Sequence, residues 1–476
     1  MPDILLTTFN AKYAHASFGL RYLRANLGEL KARAALLEFD LQTRPVDAVE
    51  QILAAAPRIV GVGVYLWNLQ LVTETVTLLK QLRPDVKVVL GGPEVSFGDP
   101  PAVATLADAV VVGEGDIAFR ELCAAWLQGQ PMPARGASKV PQFGENSLDI
   151  SLPYDEYSDT DLTQRTIYVE ASRGCPFGCE FCLSALLRGV RRVPLGTLLP
   201  AFERLLGRGL TRFKFVDRTF NLEGPHAGAI LEFFLARLRP GLQLHFEMVP
   251  DHMPAELERL LPRFPAGALH LEVGIQSLNE EVLMRIGRRQ DSARTLRQLR
   301  FLREQTGAEL HLDLILGLPG ETLESMAHSF DTLWGFRPHE LQVGILKRLR
   351  GALIARHDEA WAMQYNPWPP YDVLATSTLS FTDVQRLKRL ARFWDLLSRR
   401  GFERTLSVLL AGSSAFGALL AFSDWLYAQT GQTHAIALIR LANHLVRYLV
   451  ETHGMAADAA RALVMSDYDK AGRDPL

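Results

Sequence analysis

Tyr168-Val-Glu-Ala-Ser-Arg-Gly-Cys175-Pro-Phe-Gly-Cys179-Glu-Phe-Cys182-Leu-Ser184 is the stretch on which the reading of this chain turns. The run at 166–170 predicts a strand, and three cysteines follow at its carboxyl end with the spacing Cys-x3-Cys-x2-Cys. Three thiolates can hold three irons of a cubane [4Fe–4S] cluster and leave the fourth iron open to another ligand. Gly174 and Gly178 let the loop wrap tightly, and the aromatic Phe181 can shield a cluster from water. A structural zinc site is the alternative. Zinc takes a fourth Cys or His, and no histidine lies between His15 and His226.

The other bulk features agree with a cytosolic redox protein. Of four cysteines only Cys123 stands outside this loop, within a helical pattern that makes it a small core residue. The chain of 476 residues is 48 % apolar and 22 % charged, an ordinary globular composition. A net charge of −2 offers no field for a polyanion, so no nucleic-acid partner is expected. The first residues lack the basic and apolar regions of a secretory signal. The one long uncharged stretch, 405–423, is broken by Ser407, Gly412, Ser413, Ser414 and Gly417. It predicts two buried helices and a turn, not a membrane span. The expected location is the cytoplasm.

Around the cysteine loop the chain alternates strands with helices. Residues 4–9, 35–40, 59–64, 86–90 and 109–112 read as strands, with helices at 16–30 and 71–82, which predicts an α/β, doubly wound (Rossmann-like) domain over 1–135. Ligands of such sheets sit at the carboxyl ends of the strands. A polar segment at 136–163 reads as a linker. Strands at 166–170, 212–216, 243–249, 268–275, 309–316 and 340–346 then predict a partial, TIM-like (β/α)6 barrel over 164–355. The remainder, 356–476, reads as a mostly helical domain.

A Cys-x3-Cys-x2-Cys loop with an aromatic before its last cysteine, on a partial barrel, resembles the radical S-adenosylmethionine (SAM) enzymes. That resemblance implies a [4Fe–4S] cluster on Cys175, Cys179 and Cys182 with SAM chelating the open iron. It further implies reductive cleavage of SAM to a 5′-deoxyadenosyl radical, with electrons from an external donor of the flavodoxin or ferredoxin type. Polar groups at the strand ends become candidate SAM or substrate contacts: Phe181, Asp217, Arg218, Glu247, Glu272, Gln276 and Asp313. Strand alternation puts Glu272, Gly274 and Gln276 on one face, and likewise His245 and Glu247. Each carboxylate has a second reading as a satisfied ion pair, with Arg218 or Arg285 for example. The Gly-Gly-Glu common after the second barrel strand is replaced here by Val216-Asp217-Arg218.

The domain ahead of the barrel, with Gly61-Val-Gly-Val-Tyr65, Leu90-Gly91-Gly92-Pro93-Glu94 and Gly113-Glu114-Gly115-Asp116, resembles the cobalamin-binding radical SAM class. The resemblance assigns cobalamin contacts to Gly91, Gly92, Pro93, Glu94, Gly113, Glu114 and Gly115. His15 occupies the loop where carrier domains place a cobalt-ligating histidine, but it lacks the Asp two residues earlier and its following glycine is one residue late. Cobalamin without histidine ligation is therefore expected. Tyr65, Leu66, Trp67 and Asn68 are candidates for the lower face of the corrin, with Trp67 blocking the axial position; Trp67 as a domain-packing aromatic is the other reading.

Residues 342–351 and 366–374, followed by the helical tail, resemble a bacterial family combining B12-binding, radical SAM and a C-terminal domain of unknown function. It implies a cobalamin-dependent enzyme that methylates an unactivated carbon of a small-molecule or peptide substrate. Cyclisation or rearrangement without methylation is the main alternative, and tRNA modification a weaker one. Lys347, Arg348 and Arg350, and the run Arg188, Arg191 and Arg192, read either as an anion site or as solvated charge.

Overall fold

The computed structural model describes residues 1–130, 148, 150–186 and 189–471. The first five strands, β1 (Ile4–Asn10), β2 (Ala34–Asp40), β3 (Ile59–Gly63), β4 (Lys87–Gly91) and β5 (Ala109–Val111), form one parallel sheet in the order β2-β1-β3-β4-β5. All seven residues of β1 are buried, as expected for a strand covered on both faces. Leu5 and Phe9 point into one apolar core, while Ile4 and Leu6 point into another on the opposite face. Cys123 lies in the second core, where burial pushes its thiol up to about 12. The helix expected over 16–30 stops at Ala25, and Gly28 enters a left-handed turn at φ +58° before a short 3-10 segment. A helix at Pro45–Ala54, started by proline, adds to the elements read from the sequence.

Leading into the second sheet, residues 131–135 of the expected first domain and 136–147 and 149 of the expected linker lie outside the described residues. The rest of it is not a free connection. Tyr154 and Tyr157 are fully buried, and Tyr154 Oη donates to Glu170 O and accepts from Glu170 N, both at 3.1 Å. The helix Asp159–Gln164 carries a reciprocal Ser158–Asp161 cap.

The second sheet comprises β6 (Tyr168–Val169), β9 (Arg212–Phe215), β10 (Gln243–Met248), β11 (Leu269–Gln276), β12 (Glu309–Leu316) and β13 (Glu340–Ile345). A hairpin of β7 (Ser172–Cys175) and β8 (Gly189–Arg192) is inserted after β6. The order β13-β12-β11-β10-β9-β6 is sequential and parallel, and its two end strands do not pair, so the barrel is open. Burial alternates strictly along β11: Leu269, Leu271, Val273 and Ile275 pack into the surrounding core, while His270, Glu272, Gly274 and Gln276 face the interior of the barrel.

The C-terminal region is mostly helical: Phe381–Arg399, Glu403–Leu409, Ala415–Thr430, Leu438–His453 and Ala457–Ala471. The uncharged stretch 405–423 becomes two helices with a turn, and Ser414 caps the second by accepting from Gly417 N. Among the described residues no helix is long and apolar enough to cross a membrane.

Candidate functional site

Cys175, Cys179 and Cys182 line a single cavity of about 240 Å³ at the carboxyl ends of the barrel strands. Backbone geometry holds them there. Gly174, at φ +102°, lies so close to β8 that a Cβ would stand 2.2 Å from Gly189 O. Cys182 N donates to Cys179 O (3.0 Å), and Glu180 N donates to Ile286 O (2.9 Å). Glu180 itself is buried under the chain after the barrel: its carboxylate meets His357 Nε2 at 2.7 Å and Arg356 at 3.1 Å. Three thiols facing one cavity, with burial raising the Cys175 thiol, form a soft donor set that fits an iron–sulfur cluster.

The same cavity takes in Phe181, Arg218, Glu247, Glu272, Gln276 and Asp313, so six of the seven expected SAM-contact residues converge on the cysteines. Arg218 Nη1 spans both oxygens of Glu247 at 3.2 and 3.3 Å, and the Glu247 charge raises the Arg218 pKa. Burial pushes Glu247 up. Burial also opposes the charge on Glu272, but the hydrogen bond from His245 (2.8 Å) and nearby cations draw it down to about 2. Burial raises Asp313, against the pull of His311. Gln276 has a left-handed backbone, φ +73°, beside a register shift in β11.

Asp217 is the exception. It lies outside the cavity and is 1 % exposed. Its carboxylate accepts from Ala171 N (2.9 Å) and Ser172 Oγ (2.6 Å), so it braces the start of the cysteine loop from below. Burial outweighs these bonds and lifts Asp217 to about 7. Sequence reasoning assigned no role to Arg288, whose Nη1 donates to Cys179 Sγ at 3.4 Å and whose Nη2 donates to Gly274 O. Its signal was the Ile286-Gly-Arg step, where Gly287, at φ +69°, lets the two loops touch.

A second cavity, about 310 Å³, opens at the carboxyl ends of β3, β4 and β5. Gly61, Gly63, Gly91, Gly92, Gly113 and Gly115 line it, together with Tyr65 and Glu114. At Gly92, φ +109°, a Cβ would meet Val64 O at 2.5 Å, so no side chain fits at this point of the cavity. Backbone exposed in this way lets a ligand approach the glycine turns closely. The remaining expected cobalamin residues are placed otherwise. Trp67 stacks on Tyr65 at 4.6 Å, donates Nε1–H to Phe9 O and is 48 % exposed; it packs behind Tyr65 and does not line the cavity. Leu66 is half-buried beside it. Asn68 is fully buried, with Nδ2 donating to Thr8 Oγ1, Phe9 O and Gly63 O, which ties the loop to β1. His15 turns to Tyr168, Nδ1 to Oη 2.7 Å, and joins the domains. Glu94 is buried against Arg350 (2.8 Å) and Tyr371 (2.5 Å). Packing across the domain boundary decides the directions of His15 and Glu94, and contacts within the first domain decide those of Trp67 and Asn68.

A third cavity, about 290 Å³, lies between the two. It shares Gly92, Gly113, Glu114, Glu170 and Arg173 with the first-domain cavity, and Ser184 and Arg218 with the cysteine cavity; Pro93 lines it too. Arg173 fastens its wall, reaching Asp116 (2.8 Å), Glu114 (3.3 Å) and Glu170 (2.7 Å). Arg191 adds a contact to Glu114, and Arg192 pairs with Glu223. Arg188 lies outside the described residues. Arg348 pairs with Asp358 at 3.0 Å, and Lys347 is exposed. Of the two readings for these cations, the described arginines are engaged in ion pairs within the protein.

An open barrel with three thiols after its first strand, set against a doubly wound domain with a glycine-lined cavity, defines a radical SAM protein with a second cofactor domain. Residues 4–123 match the B12 binding domain, 169–333 the radical SAM superfamily, and 359–474 a protein family of unknown function (DUF4080). The chain is thus a B12-binding-domain radical SAM protein with a C-terminal DUF4080 region. It is 25 % identical over 337 residues to the 2-(S-pantetheinyl)-carbapenam-3-carboxylate methyltransferase of Streptantibioticus cattleyicolor, covering 64 % of this chain and 49 % of that one. It is 24 % identical over 352 residues to the anaerobic magnesium-protoporphyrin IX monomethyl ester cyclase of Rubrivivax gelatinosus, covering 68 % and 59 %. The chain therefore spans only about half the length of the curated relatives it matches. In fold it is similar to the cobalamin-dependent SAM radical enzyme OxsB, with a TM-score of 0.67 at 15 % identity over 99 % of this chain and 84 % of that one.

Proposed function

We propose that this protein is a cobalamin-dependent radical SAM enzyme that methylates an unactivated carbon of a small-molecule or peptide substrate. The observation that supports the reading is a row of adjacent cavities: the third shares lining residues both with the glycine-lined cavity of the first domain and with the cavity of the three cysteines. When bound, the cluster with SAM supplies one-electron cleavage of SAM, and cobalamin supplies a methyl carrier. The chain's own groups then have distinct tasks. Cys175, Cys179 and Cys182 hold the cluster, and Arg288 donates to Cys179 Sγ, which tunes the thiolate. Arg218 is placed to take an anionic group, while Glu247, Glu272 and Asp313 are placed to take the cationic part of SAM. Tyr65 and the glycines at 91, 92, 113 and 115 receive the corrin face. The substrate enters the third cavity, walled by Glu114, Glu170 and Arg173. Electrons come from an external flavodoxin- or ferredoxin-type donor.

The test is anaerobic assay of the protein purified with added cobalamin. A methylating enzyme releases S-adenosylhomocysteine together with 5′-deoxyadenosine when substrate is present. The similarity to the Rubrivivax cyclase supports a second reading, radical cyclisation without methylation, which releases only 5′-deoxyadenosine. A reduced protein that cleaves no SAM overturns both.

A further inference from the structure

Deeper in the barrel, toward the amino ends of the strands, three successive strands bring two histidines and a carboxylate to one point. His270 of β11, His311 of β12 and Glu340 of β13 present ligand atoms that all lie within 4.8 Å of one another. His270 Nε2 is 3.4 Å from His311 Nδ1, and His311 Nδ1 is 3.6 Å from Glu340 Oε2. We propose that these three residues bind a zinc-type divalent cation, at a site separate from the cysteine loop.

Three observations carry this. The separations are longer than the 2.7–3.2 Å of a good direct hydrogen bond. They match the edge of a tetrahedron around an ion: ligand bonds of about 2.0–2.2 Å place ligand atoms roughly 3.3–3.6 Å apart. The outer nitrogen of each histidine faces a carboxylate, His270 Nδ1 toward Glu309 at 3.4 Å and His311 Nε2 toward Asp313 at 3.1 Å. Carboxylates stand on the same outer side of metal-bound histidines. His311 is 7 % exposed, and a buried imidazole at such a convergence is stabilised by a cation there. The second oxygen of Glu340 lies 3.8 Å from Arg399, so one oxygen stays turned inward.

Two imidazoles and one carboxylate suit zinc and leave a fourth position for water. His270 also lines the wide opening, about 840 Å³, at the amino ends of the strands, which gives an ion a way in. Bound there, the ion ties β11, β12 and the end strand β13 together and, through His311, fixes Asp313 at the edge of the cysteine cavity.

The test uses the full chain and its C175A/C179A/C182A variant, each stripped with a chelator and reloaded with zinc. The expected result is about one tightly bound zinc per chain in the triple-cysteine variant, with any additional zinc of the full chain held by its cysteines. Replacing both ligand histidines, H270Q with H311Q, should lower affinity at least about 100-fold, and E309Q about 10–100-fold. H453Q, in the C-terminal helices, should leave it unchanged. If the double variant does not fold, cobalt(II) loaded into the triple-cysteine variant provides the readout. Ligand-field bands without a thiolate charge-transfer band support the site, and absence of such bands overturns it. Zinc bound only when the cysteines are present, or bound equally after loss of both histidines, overturns it as well.

Discussion

Arg173 of the cysteine hairpin and Asp116 of the first domain meet at 2.8 Å although 57 residues separate them, and the same guanidinium also holds Glu114 and Glu170. One guanidinium therefore fastens three carboxylates that line the first-domain cavity or the cavity beside it. Replacing Arg173 with Gln leaves three carboxylates facing each other. The expected cost is roughly 3 kcal/mol, near the lower end for breaking a buried ion pair. A thermal melt should fall accordingly, and cobalamin retention on a desalting column should fall with it; an unchanged melt would show that the tie is not needed.

Replacing Cys175, Cys179 and Cys182 with Ala should remove bound iron and sulfide and abolish SAM cleavage. Cys123→Ala should keep both, because its thiol sits in the apolar core of the first sheet. Its expected cost is about 1 kcal/mol of stability, the scale of one buried methylene-sized group. Iron lost from the Cys123 variant would contradict this ligand assignment.

Asp217 acts on the cluster loop from beneath it. Asp217→Ala orphans Ala171 N and Ser172 Oγ, a loss of about 1–3 kcal/mol for each buried unsatisfied group. Iron content should drop while the melting temperature falls only moderately. Asn keeps one acceptor and should retain more iron than Ala does. Equal iron in Asp217→Ala and the parent would remove this role.

Glu321 sets a pH dependence. Its carboxyl accepts from Ser277 Oγ at 2.6 Å, and burial raises it from an ordinary 4.5 to about 8. The folded chain thus holds a proton that the unfolded chain releases above about 4.5. This stabilisation is complete below about pH 4.5 and is lost as the pH rises through about 8. Glu321→Gln should flatten the fall in melting temperature between pH 5 and 8 and melt higher than the parent at pH 8. Parallel pH profiles for the two proteins would refute it.

The legible part of the site was local. The cysteine spacing lies within eight residues of chain, and strand alternation placed Glu247, Glu272 and Gln276 on the cavity side because the burial period of two holds along β10 and β11. Asp217 was misplaced because it sits in the loop after β9, where no period says which way a side chain turns. His15, Trp67 and Glu94 went astray for the same reason, since each is aimed by a contact made elsewhere: Tyr168, Tyr65 and Arg350.

By itself the sequence determined the three-cysteine loop after the first barrel strand, the two parallel sheets and the glycine-rich turns at their carboxyl ends, all of which follow from spacing and periodicity along the chain. Only the tertiary structure decided that Arg173 ties the cysteine hairpin to Glu114 and Asp116 of the first domain, that Arg288 reaches Cys179 and that His270, His311 and Glu340 converge. Those groups are brought together by strand register and domain packing, which depend on the whole fold. No window of sequence records distances between residues so far apart.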